Sequence, residues 1–174
     1  SAIPYRRGVS RYTANLALAL RERKDISLSV YGSSFRQRNQ LQHFVRQLGL
    51  THRAAIQAFP PSVIAWFWRV GLNPIQKLLP GVQVFHSWDW LQPPDKNIPL
   101  VSTIHDLAIL KFPETAHPQI LKMHQRSWEQ LKRKEAEIIA VSRATKRDVV
   151  ELLDIPAEKI HVVYEALPQE TSEV

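Results

Sequence analysis

The sequence predicts an α/β fold of the doubly wound type: a Rossmann-like, mostly parallel sheet with helices on both faces. Two observations carry that prediction. Short runs of four or five continuous apolar residues alternate with helical patterns, and such runs suit strands that are buried on both faces. Polar residues also follow the ends of those runs, where an open parallel sheet binds its ligands. The length of 174 residues fits one ordinary domain or one half of a two-domain protein.

Each element has its own local signal. From Gly8 to Arg23, Val9, Tyr12, Leu16, Ala19 and Leu20 recur at three- and four-residue steps and predict a helix. Leu28 and Val30 alternate with Ser27 and Ser29, which predicts a strand over Ser27 to Tyr31, closed by a loop at Gly32-Ser33-Ser34. A polar helix is expected from Phe35 to Leu48, with Gly49 as its carboxyl cap. Pro60-Pro61 breaks the chain, and Ser62 to Leu79 reads as one or two helical pieces interrupted near Asn73-Pro74. A strand is expected at Val82 to Phe85, leading to His86-Ser87-Trp88-Asp89 and a Pro-rich loop from Gln92 to Pro99. Leu100 to Ile104 is a strand ending in His105-Asp106. Pro118 to Glu135 is a helix with Ile120, Leu121, His124, Trp128 and Leu131 on one face. Ile138 to Val141 is a strand, Ser142 caps a helix from Arg143 to Leu153, and Ile160 to Tyr164 is the last strand. Only Ala2-Ile3-Pro4 precedes the first helix. The opening strand is therefore short or absent, and the sheet is expected to lack a strand near its middle.

Composition removes several function classes. Apolar residues make up 44% and charged residues 22%, which is normal for a globular core. With no Cys, a disulfide scaffold, a zinc ribbon and a thiol nucleophile are excluded. None of the five Gly residues forms the dinucleotide or P-loop fingerprint. Lys and Arg number 23 against 16 Asp and Glu, a net charge of +7. The positive residues cluster at Arg6, Arg7 and Arg11, at Arg36, Arg38, Arg46 and Arg53, and from Lys122 to Lys134. No nucleic-acid motif accompanies them, so an anionic ligand or membrane surface is the better functional reading beside a merely solvated face. The chain begins at Ser1 and ends in a polar run, Gln169 to Val174, so it reads as cut from something longer.

The sheet rule places five loops on one rim. Gly8 opens the first helix, whose unpaired N–H groups favour phosphate, and Arg11 adds charge there. The bland alternative is that Gly8 only serves the turn and Arg11 is solvated. His105, directly after its strand, can meet a phosphate or a hydroxyl or act in proton transfer. It can equally be a hydrogen-bonded loop residue. Asp106 is a candidate to orient it. His86, with Asp89 nearby, repeats the arrangement one strand earlier, and Ser142 adds a hydroxyl. The spacing of His86, Asp89, His105 and Asp106 matches no zinc or two-metal pattern, so no metal is expected.

Four segments together resemble the amino-terminal, acceptor-side domain of a GT-B retaining glycosyltransferase of family 4 (glycosyl transferase group 1). Gly8-Val9-Ser10-Arg11-Tyr12 is similar to the family's turn after its first strand. Val84-Phe85-His86-Ser87 is similar to a later strand end, and Leu100 through Leu107 to its T-[IV]-H-D segment. The run from Ile138 through Asp148 and Ile155-Pro156 to Tyr164 is similar to its V-S…P-x-x-K stretch. Glu165-Ala166 stands where the family usually has Asn-Gly.

The resemblance implies a domain over residues 1–168, a polar tail or linker over 169–174, and a donor-binding carboxy-terminal domain absent from the chain. It implies transfer of a hexose-type sugar from a nucleotide sugar to a glycan, lipid-linked or small-molecule acceptor in the cleft between two domains. The leaving phosphate would take the acceptor's proton on the front face. Within that implication His105 is the catalytic-cleft residue, and Gly8, Arg11, His86, Asp106 and Ser142 are substrate-binding. No cofactor is needed, because the nucleotide sugar is a substrate. The chain by itself is expected to be inactive. A cytoplasmic place follows, with a peripheral contact to the inner membrane face in view and no nucleic-acid partner. The piece from Pro60 to Leu79, with Trp66, Phe67, Trp68, Arg69, Leu72 and Lys77, is either a membrane or acceptor element or a core helix. The rival readings are a stand-alone sugar-phosphate-binding or membrane-surface α/β module without catalysis, and an electrostatic adaptor.

Overall fold

The computed structural model describes residues 8–88 and 90–166. The expected opening strand, the tail at 169–174, and Arg6, Arg7 and Asp89 lie outside the described residues. The described residues divide into two compact units: the first covers residues 8–82, and the second covers Gln83–Ala166. Every strand pairing in both is parallel.

The first unit holds α1 (Gly8–Glu22), β1 (Val30–Ser33), α2 (Arg38–Gln47), β2 (Ala54–Gln57), α3 (Pro61–Arg69) and α4 (Ile75–Leu78). β1 and β2 form a two-stranded sheet with Val30 opposite Ala54. Its core joins Ala14 of α1 to Phe44, Val45, Leu48 and Leu50, with Val30 and Ile56 packed against them. The buried stripe of α1 is Ser10 and Ala14, with Ala17 beside it, one step round from the face expected at Val9 and Leu16. Small side chains there let the helix axis come close to its neighbours. β1 starts later than expected and includes Gly32 and Ser33. A Cβ at Gly32 would stand 3.2 Å from Ile56 Cδ1 on β2 and 3.4 Å from Leu41 Cδ1 on α2, so close packing against the neighbouring strand and helix, rather than a turn, explains the glycine.

β2 has no counterpart in the sequence reading. Ala54-Ala55-Ile56-Gln57 carries little β preference, and pairing with β1 makes it a strand. Gly49 ends α2 in the left-handed region at φ 67°, as its cap role requires. The break between α3 and α4 falls at Gly71 and Asn73, both at positive φ. Asn73 and Gln57 exchange two amide hydrogen bonds of 3.0 and 2.7 Å, and Trp68 Nε1 donates to the Asn73 carbonyl at 3.1 Å. α3 thereby turns Ile64 and Trp68 inward, while Trp66, Val70 and Leu72 stay about half exposed. The span 60–79 is both a core element and an exposed apolar face.

The second unit holds β3 (Phe85–Trp88), β4 (Leu100–Ile104), α5 (Ala108–Lys111), α6 (Pro118–Arg133), β5 (Glu137–Ala140), α7 (Arg143–Leu153) and β6 (Ile160–Val162). The sheet order is β3-β4-β5-β6. Each strand neighbours its successor, and α6 and α7 make the long crossovers that parallel pairing demands. Leu100, Ile104, Trp128, Leu131, Ile138, Val149 and Ile160 share one core cluster. β3 starts at Phe85, not Val82, so His86 and Ser87 lie inside the strand. α6 stops at Arg133, short of the expected Glu135, because Glu135 takes φ 49°. The Pro-rich loop is tied down by buried polar groups. Ser87 Oγ donates to Gln92 Oε1 at 2.7 Å, Gln92 Nε2 donates to Ser127 Oγ at 3.0 Å, and Lys134 Nζ donates to the carbonyls of Pro93 and Asp95, each at 2.6 Å. Among the described residues no helix is long and apolar enough to cross a membrane.

Leu131 is fully buried, whereas Leu152 is 43% exposed. Leu131→Ala is expected to cost about 2–5 kcal/mol in urea unfolding, and Leu152→Ala about 0.5 kcal/mol or less.

Candidate functional site

In the second unit the pairing register aligns Ile104, Ala140 and Val162 across three strands. The residues that follow them, His105, Val141 and Val163, therefore emerge at one level on the carboxyl rim. This is where an open parallel sheet collects its ligand-binding groups.

His105 is held from both sides. Its backbone carbonyl accepts a 3.1 Å hydrogen bond from Thr145 Oγ1, and its ring Nδ1 lies 2.9 Å from Glu165 Oε1. Thr145 in turn ties the rim to α7. Its N–H donates to Ser142 Oγ at 3.0 Å, and the two hydroxyls are 2.9 Å apart. Ser142 has extended backbone angles and accepts from the third residue of the helix, which is the N-cap geometry expected of it. The structure thus brings His105, Ser142 and Glu165 together on one rim.

Asp106 has a different job from the one expected. Its Oδ1 accepts the Ala108 N–H at 2.9 Å, closing the turn into α5. A carboxylate that does meet the His105 ring is that of Glu165, sixty residues away in sequence. The signal that could have found it was position: it follows the last strand at the same end of the sheet. Thr145 was hidden in the same way, as a helix residue with no local mark of a rim role.

His86 is not in a rim loop. It pairs with Val101 inside β3, and its Nε2 is 2.8 Å from Thr103 Oγ1 on β4. Burial of the ring pushes its pKa below the ordinary histidine value. Solvent still reaches the residue, which moderates that shift. Gly8 opens α1 in the first unit and Arg11 is exposed on the same helix. A helix start with a glycine and an exposed cation suits a phosphate group. Among the described residues, no three His, Asp or Glu side chains gather into a metal-binding group.

The Ser142 cap can be tested by itself. Ser142→Ala is expected to destabilise the protein by about 0.5–2 kcal/mol in chemical denaturation, and Ser142→Asp to recover most of that loss.

The curated proteins and the solved structures compared with the chain gave no match. A family model described as Glycosyltransferase Family 4 matches residues 6–169, a span that takes in the Gly8 turn, the His105 strand end and the Ser142 cap. Its parallel sheets covered by helices are of the Rossmann-like type that forms half of a GT-B fold, and the chain belongs to the Glycosyltransferase Family 4 domains.

Proposed function

We propose that this chain is the acceptor-side half of a retaining glycosyltransferase. In this reading it works with a second, donor-binding domain to move a sugar from a nucleotide sugar to a glycan, lipid-linked or small-molecule acceptor. The observation that carries the proposal is the family match together with His105 at the carboxyl end of a central strand. In the second unit His105 is the residue beside the transferred sugar; Gly8 and Arg11, in the first unit, are candidates for a phosphate group. The bond from the sugar's anomeric carbon to the diphosphate breaks as the acceptor oxygen bonds to the same face of that carbon. The acceptor proton passes to a phosphate oxygen, so no nucleophile is required from the protein. Helix-end N–H groups and cations oppose the charge that develops on the leaving diphosphate.

A second feature supports a partner for the first unit. Twelve of the 23 Lys and Arg but only two of the 16 Asp and Glu fall in residues 1–82. The positive surplus therefore belongs to the stretch that also exposes Trp66, Val70 and Leu72 beside Arg69. Exposed aromatic and aliphatic side chains with adjacent cations suit a peripheral contact with an anionic membrane. The catalytic reading places that contact on the cytoplasmic face.

The catalytic proposal is tested on the full-length protein with a panel of nucleotide sugars. His105→Ala is expected to lower kcat/KM by about 100-fold or more while leaving the circular dichroism spectrum unchanged. Near wild-type turnover would remove His105 from the reaction. The 174-residue chain alone is expected to give no transfer, and measurable transfer by it would refute the two-domain requirement. For the membrane contact, sedimentation with vesicles containing 30% phosphatidylglycerol is expected to fall about tenfold in Trp66→Ser/Arg69→Glu and in high salt. Equal binding to neutral vesicles would count against an electrostatic contact.

A further inference from the structure

Glu165 is not among the site residues that the sequence pattern singles out. Its carboxylate meets the His105 ring. The two residues leave strands β4 and β6, which are two positions apart in the sheet and so about 10 Å from each other. β5 runs between them, and the Val163 N–H donates to the Ala140 carbonyl at 3.0 Å, continuing the pairing one residue beyond β6. That bond carries the chain to the carboxyl end of β5. Glu165 then reaches over the end of β5 to place Oε1 2.9 Å from His105 Nδ1. The His105 side chain is 19% exposed and that of Glu165 48%, so the contact is partly shielded on the histidine side and open on the other.

We infer that Glu165 is a positioning residue for His105: it selects the Nδ1–H form of the imidazole and holds the ring in one orientation. An ionised carboxylate can only accept hydrogen bonds, so the proton of this contact sits on Nδ1. In the neutral ring the lone pair is then on Nε2, the opposite of the tautomer that an unrestrained imidazole favours. Nε2 is buried, so the edge of the ring nearest solvent is the one that Glu165 touches. Thr145 holds the backbone of the same residue through its carbonyl. Backbone and ring are thus fixed by separate elements, α7 and the segment after β6. The role of this pair in sugar transfer rests on the reading given under Proposed function, whereas the tautomer assignment stands on the geometry alone.

Two measurements test the inference, and they fail separately. Long-range ¹H–¹⁵N spectra of the 174-residue chain at pH 8, where an ordinary imidazole is neutral, report the tautomer of His105 directly, with His105→Gln assigning the signal. The wild type and Glu165→Gln, whose amide oxygen also accepts, are expected to show Nδ1–H. Glu165→Ala is expected to shift the ring to Nε2–H. An unchanged tautomer in Glu165→Ala overturns the inference. In the full-length protein, Glu165→Ala is expected to reduce kcat about tenfold with KM within about twofold, and Glu165→Gln to recover most of it. Full activity of Glu165→Ala beside a disabled His105→Ala would overturn the positioning role in the reaction. If His105→Ala is itself fully active, the catalytic reading fails instead, and the spectra still decide whether Glu165 sets the ring.

Discussion

Parallel pairing in the β3-β4-β5-β6 sheet is the constraint on which the second unit depends. It forbids tight hairpins, so each strand must be followed by a crossover, and α6 and α7 supply the two longest. It also buries the strands on both faces, which is why Ile104, Ile138 and Ala140 are fully inaccessible. Most important for function, it points every carboxyl end the same way. The register that sets Ile104 beside Ala140, and Ala140 beside Val162, turns three distant stretches of chain into one rim. His105, Ser142 and Glu165 are neighbours because of that register, with no contribution from closeness in sequence.

The polar groups of the rim and loops follow from the same arrangement. A strand that ends at the sheet edge leaves carbonyl and N–H groups that need partners. Thr145 and Ser142 meet two of these needs at once, capping α7 and binding the His105 carbonyl. Gln92 and Lys134 do the same for the Pro-rich loop, whose prolines have no N–H to donate. Glu137, at the amino end of β5, shows the exposed counterpart. Lys159 and His161 both bond to its carboxylate and hold its pKa below the ordinary value. The Glu137 contacts join residues brought close by the β5–β6 register.

The first unit has a different balance. Its two strands are short, and its core leans on α1 and α2 through small residues at Ala14 and Ala17 and the larger Phe44 and Leu48. The helix α3 is amphipathic in an uncommon sense, since both of its faces carry aromatic residues. Trp68 goes inward beside Tyr31, whose hydroxyl is pushed up to about 12 by burial, and Trp66 goes outward. The concentration of Lys and Arg in the same part of the chain gives that outward face a chemical character that the second unit, nearly balanced in charge, does not share.

Several features were legible in the sequence because their causes are local. The apolar run Leu100–Ile104, the Ser142 cap of α7, the Gly49 end of α2 and the break near Asn73-Pro74 each depend on a few neighbouring residues, and each stands where expected. The α/β class and the place of His105 at a strand end followed from the alternation of such pieces. What the local pattern could not decide was pairing. Ala54–Gln57 becomes a strand because β1 lies beside it, and β3 begins at Phe85 because Leu100 stands opposite. His86 turns to Thr103, Asp106 turns back to Ala108, and the carboxylate that reaches the His105 ring comes from sixty residues downstream. Periodicity and capping act over a turn or a strand, so the sequence by itself determined most of the elements, though not β2, and the end of the sheet where His105 emerges. Register acts between stretches far apart in the chain, so only the tertiary structure decided which groups meet there.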